Sequence, residues 1–592
     1  MNPDVFFENF ELLADAPNGV QKLRELILQL AVMGKLVPQD PNDESASVLI
    51  EKIRADKKRK GKEKKIKGSN SLPISEDEII FKIPERWDFD RLGNIAQTIT
   101  KGSTPTSYGY QFQEEGIRFI KVENIKNGHI VIESIKDFIS EEAHEFQSRS
   151  KLESGDILFS IAGTIGETCV VQDQDLPANT NQALAIIRGT NVVFESYYLK
   201  VQFDSFVSNA VKSKARGGAM NNISLGDLKD LIVFIPPLAE QKRIVFKVDE
   251  LMALCDKLEV RRQKKQEIQS KLNSAALDRM LSTETQDEFE QHWQHICENF
   301  DLLYDNPENV EKLRQAILQL AVQGKLVPQN PEDEPASVLI EKVKIGNSKL
   351  KMENKVKKRK QLKPMNNSEM SCELPKGWEW VRFPYIGEFG RGKSKHRPRN
   401  DPILFENGKY PLVQTGDVAK ANGVIKTYTN LYNETGLAQS RIWPKGTLCI
   451  TIAANIADSA ILGFDACFPD SVVGFIPSPE IGSTKYFEYF VRTIKENLEH
   501  FAPSTAQKNI NLGILENVLI PLPPKKELKR IVEKVEQLMC LCDELESKLR
   551  KEQEDSEKLM EAVVKGLLEG ENTEKTELEK PIPLQVATIK LK

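Results

Sequence analysis

PPLAEQKRIVFKVDELMALCDKLE, residues 236–259, is the stretch around which the rest of this chain is arranged. Its apolar residues recur in steps of four and three, a spacing typical of a long helix that packs against another helix. One such helix could be an ordinary core helix. A second version, PPKKELKRIVEKVEQLMCLCDELE at residues 523–546, favours a pair of long helices instead. The residues predicted to pair are Ile244, Val248, Leu251, Cys255 and Leu258 in the first copy and Ile531, Val535, Leu538, Cys542 and Leu545 in the second.

The apolar seam of the first helix is interrupted by the basic run at residues 261–265, RRQKK. We predict that this seam resumes at Ile268, Leu272 and Ala275. The second seam is predicted to resume at Leu559 and Val563. We therefore expect close helix pairing only over residues 244–258, with the basic run facing solvent, DNA or a partner.

The remainder of the chain is also duplicated. Residues 9–52 read NFELLADAPNGVQKLRELILQLAVMGKLVPQDPNDESASVLIEK, and residues 299–342 read NFDLLYDNPENVEKLRQAILQLAVQGKLVPQNPEDEPASVLIEK. Each copy predicts an amphipathic helix that ends at a glycine C-cap, Gly34 or Gly324, followed by a short helix over 46–52 or 336–342. A basic run then follows each copy, and such runs are usually solvated linkers.

Two mixed domains follow the linkers. They begin with IPERW (83–87) and LPKGW (374–378), and each has a predicted buried strand near its middle, within 155–165 and 446–456. Helices are predicted over 197–214 and 486–500. The predicted order is a helical repeat (1–53), a basic linker (54–72), a first mixed domain (73–236), a central long helix (237–282), a second repeat (283–343), a second linker (344–372), a second mixed domain (373–523), a C-terminal long helix (524–569) and a tail (570–592).

Composition narrows the class of protein. The 592 residues are 40% hydrophobic and 29% charged, which suits several packed soluble domains. Neither a secretory start nor an apolar run long enough to cross a membrane is present in the sequence. The eight cysteines form no Cys-x-x-Cys pair, so a reduced, cytoplasmic protein is expected, and no metal site is predicted. The net charge of −5 means that any contact with a polyanion depends on local basic patches.

The sequence contains no catalytic motif apart from one pattern match whose surroundings do not suit the function. Residues 387–394, GEFGRGKS, match the phosphate-binding loop pattern, but a functional loop must lead into a helix. Pro398 and Pro402 follow within a few residues and oppose a helix there. We therefore expect no active site in this chain, although a nucleotidase using Lys393 remains an alternative.

Two sets of polar and basic loops remain, at matching places in the two mixed domains. Arg, Lys, Asn and Gln are the side chains that can contact phosphates and base edges, so these loops are candidates for binding DNA. The candidates are Lys101, Ser103, Thr104, Arg118, Lys121, Asn124, Lys212, Lys214, Arg216 and Asn221 in the first domain, and Arg391, Lys393, Lys395, Arg397, Arg399, Gln414, Gln507 and Lys508 in the second.

Taken together, the duplicated order resembles the specificity subunit of type I restriction–modification systems. The resemblance covers nearly the whole chain. It rests on the Ile/Leu-Pro-x-x-Trp domain starts at Trp87 and Trp378, the double prolines at Pro236 and Pro523, and the Ile-Val helices that follow them. The repeats and linkers make this chain longer than a minimal member, and we expect the repeats to lie on the methyltransferase side.

The resemblance implies an α+β protein with two target-recognition domains, each reading one half of a bipartite site in double-stranded DNA. It also implies that the long helices form an antiparallel coiled coil with pseudo-twofold symmetry, which sets the spacing between the half-sites. Two methyltransferase subunits and the restriction subunits would dock on the conserved parts. This chain would bind no cofactor; S-adenosylmethionine, ATP and Mg²⁺ would belong to the partners. The alternative from another class is a coiled-coil scaffold that reads no sequence.

Overall fold

The computed structural model describes residues 10–63, 74–75, 78–79, 81–191, 193–214, 223–352, 373–453, 456–500 and 510–569. The chain divides into two compact units. Unit 1 comprises residues 1–266 and 553–581, and unit 2 comprises residues 267–552 and 582–592. Each unit thus contains the beginning of one long helix and the end of the other.

Unit 1 combines the first repeat with the first mixed domain. Its helices, with the central long helix given in full, are α1 (Phe10–Ala14), α2 (Gly19–Val32), α3 (Ala46–Glu63), α4 (Leu92–Ile95), α5 (Glu141–Phe146), α6 (Ser196–Lys214), α7 (Leu225–Asp230) and α8 (Leu238–Leu281). Its strands are β1 (Asp88–Arg91), β2 (Thr98–Lys101), β3 (Ile117–Ile120), β4 (Ile125–Lys126), β5 (His129–Ile130), β6 (Phe138–Ile139), β7 (Ile157–Ser160), β8 (Thr168–Val170), β9 (Ala178–Thr180), β10 (Leu184–Arg188) and β11 (Ile232–Ile235).

Unit 2 repeats this plan. Its helices, with the C-terminal long helix given in full, are α9 (Gln286–Glu298), α10 (Phe300–Leu303), α11 (Pro307–Gln323), α12 (Ala336–Met352), α13 (Phe383–Ile386), α14 (Thr415–Lys420), α15 (Glu434–Ala438), α16 (Lys485–Thr493), α17 (Lys495–His500), α18 (Leu512–Asn517) and α19 (Lys525–Glu569). Its strands are β12 (Glu379–Val381), β13 (Gly387–Arg391), β14 (Tyr410–Leu412), β15 (Val424–Ile425), β16 (Asn430–Tyr432), β17 (Ile442–Trp443), β18 (Leu448–Thr451), β19 (Ser459–Leu462), β20 (Ala466–Cys467), β21 (Val472–Pro477) and β22 (Ile520–Leu522).

The two mixed domains share their sheet topology. The larger sheet has the order β2-β10-β7-β8 in unit 1 and β13-β21-β18-β19-β15 in unit 2. A smaller sheet has the order β6-β3-β9 in unit 1 and β16-β14-β20-β17 in unit 2. The first and last strands of each domain also pair, β1 with β11 and β12 with β22. The prediction of two duplicated mixed α/β domains is therefore confirmed.

In unit 1, the repeat, the domain start and the long helix meet at one joint. Gly34 follows α2 with φ +69°, and a Cβ added there would lie 2.5 Å from Pro84 and 3.0 Å from the Trp87 ring. Only glycine allows this left-handed turn and this close approach together. Gln39 Nε2 donates to Glu240 Oε1 over 2.6 Å, which ties the repeat to the first turn of α8.

The same joint recurs in unit 2. Gly324 has φ +72°, and a Cβ there would lie 2.6 Å from Pro375 and 2.9 Å from the Trp378 ring. Gln329 Nε2 donates to Glu527 Oε1 over 2.7 Å. A buried carboxylate backs each joint: Arg243 contacts Asp43 and Arg530 contacts Asp333, both over 2.7 Å. Gly324 is the C-cap of its helix as predicted, whereas α2 is capped by Met33 and Gly34 is the left-handed residue that follows; the contacts around both glycines explain why the glycine recurs.

A lysine in each repeat binds the end of a long helix. Lys35 Nζ donates to the carbonyls of Leu567 and Leu568 in unit 1, over 3.3 and 2.5 Å. Lys325 Nζ donates to the carbonyls of Leu281 and Thr283 in unit 2, over 2.8 and 2.7 Å. Because the last carbonyls of a helix have no partner inside it and carry partial negative charge, a cation there stabilises the helix end.

The seam residues of the long helices are buried or partly buried, and each seam packs within its own unit. Ile244, Val248, Leu251 and Cys255 lie in one core with α2 and with Met560, Val563 and Leu567 near the end of α19. Ile531, Val535, Leu538 and Cys542 lie in another core with α11 and with Leu277 and Met280 near the end of α8. Each seam therefore packs against a repeat as well as against the end of the other long helix. Direct pairing of the two seams stays a prediction.

The predicted continuation of each seam is only partly confirmed: Val563 is buried as predicted, but the other four residues are exposed. Ile268, Leu272 and Ala275 are exposed, and the polar Gln269 and Asn273 are buried in their place. Gln269 donates to Asp305 over 2.8 Å, and Asn273 donates to the Leu303 carbonyl over 2.9 Å. Hydrogen bonds to the second repeat thus decide which face of α8 is buried.

Apolar spacing was misleading elsewhere on the long helices too. In α19, Leu559 is 39% exposed, and Met560 is fully buried in its place. In the basic run of α8, the other four residues are exposed as predicted, but the partly buried Arg262 donates to the carbonyls of Ala14 and Ala16 over 3.3 and 3.0 Å.

Two of the predicted linkers begin as helix. Helix α3 runs to Glu63 and helix α12 runs to Met352, both beyond the short helices that were predicted. The remainder of each linker, residues 64–72 and 353–372, lies outside the described residues. No helix in the described part of the chain combines the length and hydropathy that a membrane crossing requires.

Each unit also contains a partly buried ion pair on the helix beside the larger sheet, with the charges in opposite order, and Glu488 is the one member of the two pairs that is fully buried. In unit 1, Lys200 Nζ contacts Asp204 Oδ2 over 2.5 Å. In unit 2, Arg492 Nε contacts Glu488 Oε1 over 2.5 Å. Burial raises the pKa of Glu488 to about 7, because Arg492, which by itself lowers this pKa, offsets only part of the effect of burial.

We predict that Gly34→Ala destabilises unit 1 by at least about 2 kcal/mol, because both backbone strain and the clash with Trp87 oppose folding. Gly163→Ala is the matched control: Gly163 has φ +77° but no atom within 4 Å of the added Cβ, so about 1 kcal/mol is expected. Hydrogen exchange of the α2 amides measures the difference. Equal losses in the two variants would contradict the joint.

We also predict a pH dependence from Glu488. Its usual pKa is 4.5, so between about pH 4.5 and 7 the folded state keeps a proton that the unfolded state has released. The free energy of unfolding should therefore fall by up to about 3 kcal/mol as pH rises through this window. Glu488→Gln should remove that slope, whereas the exposed Glu332→Gln should retain it.

Tryptophan fluorescence during urea unfolding provides the measurement, since four of the five tryptophans, Trp293, Trp378, Trp380 and Trp443, belong to unit 2. An unchanged slope in Glu488→Gln would show that Glu488 does not carry the effect.

Candidate nucleic-acid interface

The two candidate loop sets start at equivalent strand ends. Lys101 ends β2 and Arg391 ends β13, and a glycine follows each of them. A Cβ at Gly102 would lie 2.0 Å from the Thr180 carbonyl oxygen, and one at Gly392 would lie 2.2 Å from that of Phe468. Each loop is therefore held against the segment that leads into the strand paired with its own, which is β10 for β2 and β21 for β13.

In unit 1 the loop after β2 is fixed by short contacts. The Ser103 amide donates to the Thr180 carbonyl over 3.1 Å. The Thr104 hydroxyl donates to Oε1 of Gln182, an exposed residue in the turn before β10. Lys101 is exposed at the strand end, so its ammonium group is accessible to a ligand.

Two further cations predicted for this site are engaged within the domain. Arg118 Nη1 donates to the carbonyls of Gln174 and Leu176, over 3.0 and 3.4 Å. Lys121 Nζ contacts Asp137 Oδ2 over 2.6 Å and lies 5.2 Å from the centre of the Phe112 ring. These side chains join β3 to its surroundings, and their contact with DNA stays a prediction.

Asn124 is a correction to the set predicted from sequence. Its side chain is buried, with 4% of the residue exposed. The side-chain amide donates to the Ser134 carbonyl over 2.9 Å, and its Oδ1 accepts from the Lys121 amide over 2.9 Å. Asn124 therefore holds the turn after β3, because both ends of its side chain are occupied inside the domain.

Part of the predicted set cannot be located. Lys212 and Lys214 lie in the last turns of α6, where only the backbone is described. Arg216, Asn221, Gln507 and Lys508 lie outside the described residues.

In unit 2 the loop after β13 presents five cations within nine residues. All five are exposed and lie on the segment from Arg391 to Arg399: Arg391, Lys393, Lys395, Arg397 and Arg399. Gln414 is also exposed, at the start of α14. An exposed cluster of this kind is the local basic patch that binding to phosphates requires.

Other side chains hold this basic loop in one conformation. Gln439 Oε1 accepts from the backbone amides of Lys395 and His396, over 2.6 and 3.0 Å. The Ser440 hydroxyl donates to the Lys393 carbonyl over 3.0 Å. His396 Nε2 lies 2.7 Å from Asp401 Oδ2, and this contact lowers the pKa of the Asp401 carboxyl.

The arginines of the loop are positioned as well. Arg397 Nη1 donates to the carbonyls of Ser394 and His396, each over 2.8 Å. Arg391 Nε donates to the Asp470 carbonyl over 2.8 Å. Arg399 Nη2 contacts both carboxylate oxygens of Asp470, over 2.7 and 3.0 Å. Asp470 thus fixes two guanidinium groups at one point.

Sequence reasoning missed Gln182, Gln439 and Asp470, which contact the predicted loops from other segments. Two of them could have been found by their place in the repeat. Gln182 lies two residues beyond Thr180, and Asp470 lies two residues beyond Phe468, the residues on which the equivalent glycines sit. Gln439 has no such counterpart, because its loop differs between the domains.

An exposed aromatic cluster adjoins the unit 1 loop. Tyr108 is 55% exposed and Phe146 is 59% exposed, and their ring centres are 5.5 Å apart. Tyr110 packs on the other side of Phe146 at 5.6 Å. Flat exposed rings beside polar side chains can contact bases as well as protein.

The phosphate-loop pattern at residues 387–394 does not form a phosphate-binding loop. Its first five residues are strand β13, paired antiparallel with β21 from Gly387 to Arg391. The residues that follow are irregular up to a short 3-10 turn at Pro402–Leu404. Without a helix after the glycines, the backbone N–H groups do not converge on a phosphate.

We predict that Gln439→Ala loosens the basic loop without unfolding the domain. The amides of Lys395 and His396 lose their acceptor and should exchange with solvent at least about tenfold faster. Ser440→Ala, which removes a donor to a carbonyl instead, should leave those two amides protected. Hydrogen exchange with peptide-level detection tests this, and unchanged exchange in Gln439→Ala would contradict the clamp.

Comparison with known proteins bears directly on this site. A family model described as the type I restriction modification DNA specificity domain matches residues 84–270 and 375–554. The EcoAI specificity subunit of Escherichia coli is 30% identical over 554 residues, covering 89% of this chain and 90% of that protein. The EcoEI specificity subunit of Escherichia coli is 28% identical over 584 residues, covering 93% and 94%.

A solved structure has a similar fold. A chain from a type I restriction–modification system, solved in work on complex assembly and conformational transition, covers 82% of this chain and 99% of its own length. The TM-score is 0.50 at 19% identity. Its likeness concerns the fold alone. The two matched segments span more than half of this chain and cover each mixed domain together with much of the long helix that follows it, so the chain belongs to the type I restriction–modification DNA specificity family.

Proposed function

We propose that this chain is the DNA-reading subunit of a type I restriction–modification complex, in which each mixed domain recognises one half of a bipartite site. The observation that carries the proposal is a shared framework with unlike loops. The two loops start at the ends of equivalent strands. Each packs through a glycine, Gly102 or Gly392, against the equivalent segment of its own domain. One carries a lysine with neutral polar side chains and aromatic rings, and the other carries five cations.

This difference is what a reader of two dissimilar half-sites needs. Phosphate contacts from Lys and Arg give affinity and register, and base contacts from the loop side chains give specificity. A scaffold that only assembles proteins would have no use for two loop sets that differ on matched frameworks. The half-sites should therefore differ in sequence, as the loops do.

The long helices would set the distance between the half-sites. We propose that they form an antiparallel coiled coil related by pseudo-twofold symmetry. The division of the chain supports this, since each unit contains the beginning of one long helix and the end of the other. Helices of 44 and 45 residues are about 66 Å long, against roughly 34–36 Å for one turn of DNA.

Catalysis would belong to partner subunits. We propose that two methyltransferase subunits and the restriction subunits join this chain, and that they bring S-adenosylmethionine, ATP and Mg²⁺. The chain itself would bind no cofactor and act in the cytoplasm. The relatives named above are subunits of type I restriction enzymes, which supports a role within such an assembly.

Replacement of residues 84–235 by the corresponding domain of a relative tests the proposal. The hybrid, assembled with its methyltransferase subunits, should select a site with one half changed and with the other half and the spacer retained. Selection from random-sequence DNA followed by sequencing provides the measurement. A selected site that is unchanged in both halves would exclude sequence reading by the first domain.

A further inference from the structure

Arg399 and Asp470 form a built contact at the exposed edge of the second domain. We infer that this pair reads a guanine through the major groove, with Arg399 as the reading residue and Asp470 as its positioning residue. The inference rests on the proposed function and goes further by assigning a base to named side chains.

The contact with Asp470 restricts the conformations of the Arg399 side chain more than is usual for a side chain at the surface. Its Nη2 lies 2.7 and 3.0 Å from the two carboxylate oxygens of Asp470, and the side chains are 49% and 35% exposed. Within the part of the chain that the structure describes, this contact uses one nitrogen of the guanidinium. Its remaining N–H groups stay available as a planar set of donors.

Neighbouring contacts prevent this pair from drifting. The Asp470 carbonyl accepts from Arg391 Nε over 2.8 Å, so the turn before β21 is bound to the end of β13. Gln439 holds the other side of the loop through the amides of Lys395 and His396. Donors whose supporting residues are fixed lose less entropy on binding and discriminate better between bases.

Charge favours a base over a phosphate as the partner of Arg399. The Asp470 carboxylate offsets the arginine charge, which weakens its long-range attraction to the DNA backbone. The directional N–H donors are unaffected, and an arginine fork matches the O6 and N7 acceptors of guanine. Lys393, Lys395 and Arg397, exposed on the same loop, are the cations suited to phosphates.

The first domain has different chemistry at the equivalent position. Gln182 occupies the place of Asp470, and its carbonyl oxygen accepts from the Thr104 hydroxyl. An amide can bond to a base, but it cannot position an arginine by charge. The guanine contact is therefore specific to the half-site read by the second domain.

The test uses the full-length chain with its methyltransferase subunits and the duplex that this complex selects. Each guanine is replaced in turn by 7-deazaguanine, which lacks the N7 acceptor. We expect one guanine, in the half-site retained after exchange of residues 84–235, whose replacement weakens binding about 10- to 100-fold. Arg399→Ala and Asp470→Asn should each lower affinity for the normal site and abolish that sensitivity, while Gln182→Ala should retain it.

Asp470→Asn nearly preserves side-chain volume at a partly exposed position, so a folding defect is not expected, and thermal unfolding checks this. Three outcomes would overturn the inference. The first is an unaltered 7-deazaguanine response in both variants. The second is a uniform loss of affinity for all sequences in Arg399→Ala, with a shallower salt dependence, which would identify a phosphate contact. The third is a retained half-site without guanine on either strand. A wild-type complex that selects no sequence would overturn the proposed function as well.

Discussion

Gly34 and Gly324 each end a repeat helix in the left-handed conformation with a tryptophan ring packed directly over the glycine. No other residue permits the left-handed turn and the contact with the tryptophan ring together. The packing of the repeat, the mixed domain and the long helices in each unit depends on this contact. The indole belongs to the first strand region of the mixed domain. The residues just beyond the glycine bind the first turn of one long helix, and the lysine beside it binds the last carbonyls of the other. One short motif, GKLVPQ, thus connects the repeat, a recognition domain and both long helices.

This arrangement separates the parts of the protein that must be alike from those that must differ. The contacts at the joints recur at matching residues in the two units, and the paired first and last strands and the inner strands recur with small differences in length. The loops after β2 and β13 start from identical places and then diverge in length, charge and hydrogen bonding. A duplicated frame with divergent loops can present two unlike surfaces to DNA without altering how the rest of the complex binds to it.

Most of the shared framework of helices and strands could be predicted from the sequence, because each motif occurs twice and the second copy supports the interpretation of the first. The long helices, the glycine caps, the tandem mixed domains and the buried central strands all follow from spacing that occurs twice. The errors arose where tertiary hydrogen bonds outweigh apolar periodicity. Ile268 and Leu272 fit the seam by spacing but are exposed, because Gln269 and Asn273 bond to the second repeat. Asn124 has a side chain typical of DNA contact, yet its hydrogen-bonding groups are occupied by partners inside its own domain. Asp470 and Gln182 are distant in sequence from the loops they support, so only their matching places in the two domains could indicate them.

The central claim is that one chain reads two different sequences at a fixed separation. Sequencing of methylated adenines in cells that carry this chain with its methyltransferase subunits tests it most directly. The account predicts a single bipartite motif with two unlike halves and a spacer of constant length. A palindromic motif, a variable spacer or methylation without a motif would contradict it.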